Sequence, residues 1–397
     1  MTFVFFIPGG MIMIVYVTAQ GSRVIREGRH LLVRLGDDIH HTLFIGKLEQ
    51  LVLCGNIALT TPALSLLLRE GIDTVFLRQD GRYRGRLASA EPKNVLLRRR
   101  QFQLTCDDAF CLAVARDIVR GKLSNMLTIL QRIKRSRRSD AAEGAAGSVR
   151  VLLDKLTDAK DLDTLRGLEG AASARYFEGL RQGLDDDYGF RKRVRRPPTD
   201  PVNSVLSLIY TFLINRVYAA IRLAGLDPYP GVLHTLDYGR HALPLDLVEE
   251  FRAPLGDALT LALFNLRILK KDDFYVFDPP VLVVPVVEDA PIDAAVRDPL
   301  GKMSSLEDEE ELFDMPAQVL PETTSDVEGR QGRGAVRLHS AAFKKVITAF
   351  EKKMQNEFYH PLAERRMTYA DALIFQARQY RRLIEGEATE YHPLLLR

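Results

Sequence analysis

Over about the first 90 residues the apolar positions come in short bursts. Residues 11–18, 24–26, 30–34, 41–45 and 51–53 read as strands, separated by Gln20-Gly21-Ser22, Gly28, Gly36-Asp37-Asp38 and Gly55-Asn56, all turn chemistry. Residues 63–70 read as a short helix entered through Thr60-Thr61-Pro62 and stopped at Gly71, and residues 73–77 as a further strand. From about residue 95 the period changes. Residues 96–105, 109–133, 149–156, 162–180, 201–224, 243–251 and 258–269 place apolar side chains three and four apart, and 336–358 and 369–385 return to that spacing. Residues 136–146 are small and polar and read as a hinge. The pattern predicts an α+β chain. A small N-terminal β-rich domain (residues 1–94), read as a dimerisation module, precedes a larger all-helical domain (residues 95–397).

Composition changes this picture in two places. The 397 residues are 46% hydrophobic and 27% charged with a net charge of +3, an ordinary globular balance. The acid is concentrated late: residues 288–328 hold thirteen acidic side chains against Arg297 and Lys302. That stretch lacks the apolar content to pack, and residues 286–334 read as an acidic, disordered insert. The apolar start is interrupted by Pro8-Gly9-Gly10 and lacks a basic flank, so no membrane role is expected, and residues before Met11 read as an extension. Three scattered cysteines fit free thiols in a reducing cytoplasm.

Candidate chemistry centres on residues 231–251. His234 follows Asp227-Pro228-Tyr229-Pro230-Gly231, and a helical segment then carries Asp246, Glu249 and Glu250 at i, i+3 and i+4, the spacing of one helical face. An imidazole with one or two carboxylates is the usual donor set of a divalent-metal site. His241 competes locally with His234, and the three acids are interchangeable at this point. Glu169 lies among Gly167, Gly170, Ala171 and Ala172, small residues that would let another backbone approach its helix. Arg191, Lys192, Arg193, Arg195 and Arg196 form a phosphate-seeking run before Asp200-Pro201, which reads as N-cap and first helical residue. Arg82, Arg84 and Arg86, Arg98 to Arg100, and Lys134, Arg135, Arg137 and Arg138 extend that basic character.

The chain resembles the CRISPR-associated endonuclease/integrase, the larger subunit of the spacer-acquisition complex. The resemblance runs over nearly the whole sequence: Tyr16-Val17-Thr18-Ala19-Gln20-Gly21-Ser22, Leu51-Val52-Leu53-Cys54-Gly55-Asn56, Asp80-Gly81-Arg82-Tyr83-Arg84-Gly85-Arg86-Leu87, Gly121-Lys122, Gly167-Leu168-Glu169-Gly170, Arg195-Arg196-Pro197-Pro198 with Asp200-Pro201-Val202-Asn203, Gly225-Leu226-Asp227-Pro228-Tyr229 leading to His234, and Leu245-Asp246-Leu247 through Glu250-Phe251-Arg252. It implies a helical catalytic domain, a homodimer, and a Mg²⁺ or Mn²⁺ ion held by Glu169, His234 and Glu249, with Asp246 as a supporting carboxylate. It also implies a small ferredoxin-like CRISPR-associated partner and double-stranded DNA, both the captured fragment and the CRISPR repeat. The expected reaction is attack of a 3′-hydroxyl, or of water, on a phosphodiester.

Two other readings compete. A DNA-binding scaffold whose catalytic site has lapsed would keep the basic run without metal-dependent joining. A mononuclear metal hydrolase or oxygenase acting on a small molecule would use the same donors, but leaves the arginine clusters unexplained.

Overall fold

The computed structural model describes residues 4–5, 13–36, 38–87, 94–194, 197–234, 239–277 and 334–396. The first part is two stacked sheets. One is five-stranded, in the order β1 (Val4–Phe5), β2 (Met13–Val17), β6 (Leu48–Cys54), β8 (Asp73–Leu77) and β9 (Tyr83–Leu87), with β2, β6 and β8 parallel. The other runs β5 (Asp38–Phe44), β4 (His30–Leu35), β3 (Arg23–Glu27) and β7 (Ala58–Leu59). Helix α1 (Thr61–Arg69) links β7 to β8.

Successive side chains on a strand point to opposite faces, and here the two faces enter two different cores. Ile14, Tyr16, Val52, Cys54, Val75 and Leu77 join the core of the helices, whereas Val15, Val17, Leu51 and Leu53 pack with Val24, Leu31, Val33 and Leu66. The near-continuous apolar runs of these strands follow from burial on both sides. Gly81, at φ +88°, inserts the β8–β9 turn against the helices, where a Cβ would collide with Leu208 Cδ1.

The larger part is built from α2 (Val95–Thr105), α3 (Asp108–Arg137), α4 (Asp140–Asp154), α5 (Leu162–Leu180), α6 (Pro201–Leu223), α7 (Ala242–Phe251), α8 (Ala258–Asn265), α9 (Ser340–Met354) and α10 (Tyr369–Glu385). Helix α6 is apolar and long enough to cross a membrane, but most of it is buried as the central helix of this core. Asp200 caps it, its Oδ1 accepting from the Asn203 N–H at 2.9 Å with Pro201 next, as its sequence indicates.

Three local readings need correction. The expected hinge at 136–146 shrinks to Arg138 and Ser139: Ser139 Oγ caps α4, and Ala142, Ala145 and Ala146 are buried against its neighbours, so tertiary packing holds a helix where composition suggests a loop. The part after residue 95 is mostly, not wholly, helical. It carries two hairpins, β10 (Phe274–Phe277) with β11 (Ala335–Leu338) and β12 (Glu357–His360) with β13 (Arg365–Thr368). The helical reading of 336–358 therefore gives way at both ends to strands. The acidic insert falls almost entirely outside the described residues.

Candidate active site

Helix α7 is wholly buried, and its three acids part company. Asp246 turns back on the loop before it. Its Oδ2 accepts from the Val232 and Leu233 N–H groups at 2.5 and 3.1 Å, and its Oδ1 from the His234 N–H at 2.9 Å. The same Oδ1 meets His234 Nδ1 at 2.6 Å. This pairing orients the imidazole and leaves Nε2 without a hydrogen-bond partner among the described residues, the arrangement by which a carboxylate presents a histidine to a metal. Gly231 makes the approach possible: a Cβ there would lie 2.6 Å from Asp246 Oδ2 and 2.7 Å from Ala242 Cβ.

The loop is pinned from two further sides. Gln101 of α2 exchanges two hydrogen bonds of 2.9 Å with the Asp227 backbone, and Arg98 pairs with the Asp227 carboxylate at 2.7 Å. Arg166 of α5 donates to the Leu233 carbonyl at 2.8 Å. Helix α5 thereby holds both the His234 loop and Glu169. His241, the local competitor, packs its ring between Tyr218 and Tyr229.

Glu249 points the other way around α7, towards α3 and α5. Its Oε2 lies 2.6 Å from Lys122 Nζ, and its Oε1 lies 3.1 Å from Arg252 Nε. Lys122 Nζ also bonds Glu169 Oε1, which accepts from Ser173 Oγ at 2.7 Å. One buried ammonium thus joins Glu169 to Glu249. Burial alone would raise the Glu249 carboxyl; Arg252 and Lys122, with His234, outweigh it and bring it down to about 2. Burial works against Glu169 likewise, and Lys122 again brings it below its ordinary value. Side-chain exposure runs from 23% at Glu169 and 17% at His234 to 4% at Glu249 and none at Asp246. The site therefore opens on the Glu169 and His234 side.

Glu250 belongs elsewhere. It accepts from Tyr391 Oη at 2.7 Å, from Gln376 Nε2 at 3.0 Å and from the Leu394 N–H, clamping the C-terminal segment onto α7. Asn125 of α3 completes the clamp by bonding the Glu250 and Leu394 carbonyls, each at 2.8 Å. The one-face reading of Asp246, Glu249 and Glu250 fails because a step of one residue turns a helix by about 100°. Burial pushes the Glu250 carboxyl up to about 7 despite those donors. A carboxyl raised in the folded state stabilises fully below its unfolded value, 4.5, and that contribution is lost as pH rises through about 7. Glu250→Gln is expected to flatten the stability curve over this window. Thermal melts at pH 5 and pH 8 check it; an equal gap from wild type at both would refute the assignment.

Gly167 and Gly170 do not admit a neighbouring backbone: a Cβ at either would meet nothing within 4 Å. They leave the surface flanking Glu169 open instead. A cavity of about 250 Å³ lies elsewhere, between the Asp80–Tyr83 turn, α6 and β11, and neither His234 nor the acids line it.

The basic run divides. Arg191 and Lys192 are exposed, Arg191 pairing with Asp187 at 2.7 Å, whereas Arg193 turns inward to Asn203 and Ser207, both at 3.0 Å. Arg195 and Arg196 lie outside the described residues. Of the other cations, Arg86 is buried against Asp73, Arg98 serves Asp227, and Arg137 pairs with Asp185. These three support the fold rather than a continuous basic track. Lys122 and Arg252 are the site residues that reasoning from charge pattern alone passes over. The available signal was position: Lys122 continues the apolar face of Ala115, Ile118 and Val119, where an unpaired lysine is not stable.

The family model for "CRISPR associated protein Cas1" matches residues 15–282. The chain belongs to the Cas1 family. A Thermus thermophilus protein named CRISPR-associated endonuclease Cas1 3 is 31% identical over 391 residues, 98% of this Cas1 chain and 99% of its own length. One from Moorella thermoacetica, CRISPR-associated endonuclease Cas1 1, is 31% identical over 90% of this chain and 89% of its own. Among solved structures, a casposase bound to integration product superposes with a TM-score of 0.74 at 16% identity, covering 97% of this chain and 94% of that one. A Cas1 protein from Thermotoga maritima gives 0.71 at 18%, covering 94% and 97%. A chain of a Cas6-RT-Cas1–Cas2 complex gives 0.74 at 23%, covering 97% of this Cas1 and 36% of that chain. These likenesses establish the shared fold: a β-rich region followed by a mostly helical domain.

Proposed function

We propose that this Cas1 protein is a divalent-metal-dependent DNA endonuclease and integrase that inserts captured DNA into a CRISPR repeat. The observation that carries this reading is the joining of Glu169 and Glu249 through Lys122, with an Asp246-backed His234 near enough to help lower the Glu249 carboxyl. The names of the endonuclease relatives and of the casposase support it.

Glu169, His234 and Glu249 would hold Mg²⁺ or Mn²⁺. Two carboxylates and an imidazole form a hard donor set that suits either ion. Glu249 Oε2 is buried and already faces a cation, the Lys122 ammonium 2.6 Å away, so the donor is ionised and directed at a positive charge. Among the described residues no three histidine, cysteine or acidic side chains stand close enough to enclose an ion as placed, with Lys122 between the two glutamates. The bound ion would polarise a phosphodiester and favour a 3′-hydroxyl or water as nucleophile. Asp246 keeps the His234 loop folded, Arg252 fixes one oxygen of Glu249, and the glycines beside Glu169 leave room for a DNA strand. The proposed domains divide near residues 94 and 95, with the β-rich part pairing two copies and a small ferredoxin-like subunit joining the dimer.

The test is strand joining. Purified protein, a 3′-OH DNA duplex, a repeat-bearing plasmid, Mg²⁺ and the small subunit should yield a covalently joined product that chelator abolishes. Joining that chelator leaves untouched, or none under any condition, refutes the reading.

Exposed Arg191 and Lys192 are proposed to meet DNA phosphates. Lys192→Ala should lower the slope of log affinity against log salt by about one unit. Arg193→Ala should act on thermal stability instead, since its guanidinium is bonded within the fold. Binding titrations across salt concentrations check both; an unchanged slope for Lys192→Ala removes it from the interface.

A further inference from the structure

Lys122 has no part in the proposed phosphodiester chemistry, yet it sits at the centre of the site. The side chain is buried, with 6% of the residue exposed, in the middle of α3. Its Nζ touches one oxygen from each of two carboxylates on different helices, Glu169 Oε1 and Glu249 Oε2. A buried ammonium is tolerated only when paired, and two buried carboxylates facing each other likewise require a cation. The division of Glu249 is informative. Arg252 takes Oε1, leaving Oε2 as the oxygen on the Glu169 side. Lys122 therefore occupies the facing oxygens of both carboxylates, the positions an incoming cation would need. A lysine is a compact charge on a flexible four-carbon stem, able to withdraw while its methylenes stay packed.

We propose that Lys122 is an internal counter-cation of the site. In the absence of metal it neutralises Glu169 and Glu249 and keeps α3, α5 and α7 together, and the divalent ion must displace it from the same oxygens. This rests on the reading of Glu169 and Glu249 as ligands. The consequence is a site that is preassembled but binds its ion more weakly than the donor set alone would allow. Lys122 is in this sense a positioning residue whose removal strengthens metal binding, whereas removal of a ligand weakens it.

The experiment measures Mn²⁺ binding to the full chain by calorimetry, with thermal melts in chelator and at saturating Mn²⁺, for wild type, Lys122→Met and Lys122→Arg. Lys122→Met is expected to bind Mn²⁺ about tenfold tighter or more, the worth of one lost competing charge contact. It should melt below wild type in chelator, and saturating Mn²⁺ should close that gap, because an ion bound only by the folded state restores stability. Lys122→Arg keeps the charge and should show no tightening. If Lys122→Met does not fold, Lys122→Gln takes its place with the same expectations. Binding by wild type that the neutral variant leaves unchanged or weakens overturns the proposal alone, as does a lower melt that Mn²⁺ fails to recover. Binding by neither protein overturns the ligand reading and the proposal with it.

Discussion

Glu169→Gln, His234→Ala and Glu249→Gln are each expected to lower Mg²⁺-dependent strand joining by about a thousandfold. A metal acting on a phosphodiester supplies several kcal/mol of transition-state stabilisation, and each 1.36 kcal/mol is about a factor of ten in rate. The amide variants keep size and shape, so folding should survive in Glu169→Gln, whose side chain is partly exposed. Glu249→Gln is the harder case, because both oxygens of Glu249 face cations. Removing one partner of a buried ion pair costs about 3–5 kcal/mol. Circular dichroism melts therefore accompany the joining assay. A folded Glu169→Gln or His234→Ala that joins DNA at the wild-type rate would sink the assignment of that residue.

Asp246→Ala is expected to damage both fold and chemistry. It strands the N–H groups of Val232, Leu233 and His234, together with the His234 ring nitrogen. Each buried unsatisfied group costs about 1–3 kcal/mol, so the melting temperature should fall by many degrees. Asp246→Asn retains the shape and one acceptor oxygen and should fold. It loses charge behind His234, and substitution of such a supporting group typically weakens metal affinity or activity by about 10–100-fold. The expected order of joining activity is thus wild type, then Asp246→Asn, then Glu249→Gln. Calorimetric Mn²⁺ binding with the joining assay checks it. A loss in Asp246→Asn as deep as that in Glu249→Gln would make Asp246 a ligand rather than a support.

Much of the architecture is legible in the amino-acid order. The apolar spacing of residues 162–180 and 369–385 coincides with α5 and α10 to the residue, and Asp200-Pro201 marks the start of α6. These helices are long, amphipathic or buried, and capped by their own side chains, so local signals agree with tertiary ones. Disagreement arises where partners are remote. The start of α4 looks like a loop because its glycines and polar residues are weak local helix formers, and only burial of Ala142, Ala145 and Ala146 reveals why it holds. Strand β9 is masked by Arg82, Arg84 and Arg86, yet Arg86 is internal, fixed by Asp73 and the Asn215 carbonyl. Charge counted along a sequence cannot tell an arginine that faces phosphate from one that closes an internal pair.

The sequence by itself determined the candidates for the proposed site: a histidine after a Pro/Gly loop, a glutamate on an earlier helix, and three acids within one short helix. Only the tertiary structure decided how those acids divide their work. Asp246 bonds a loop 12 to 14 residues before it, Glu249 shares Lys122 of α3 with Glu169, and Glu250 holds a segment 141 to 144 residues later. Helical spacing sets the direction in which each side chain leaves α7. What it meets there depends on which distant segments pack against each face, and no local pattern carries that information.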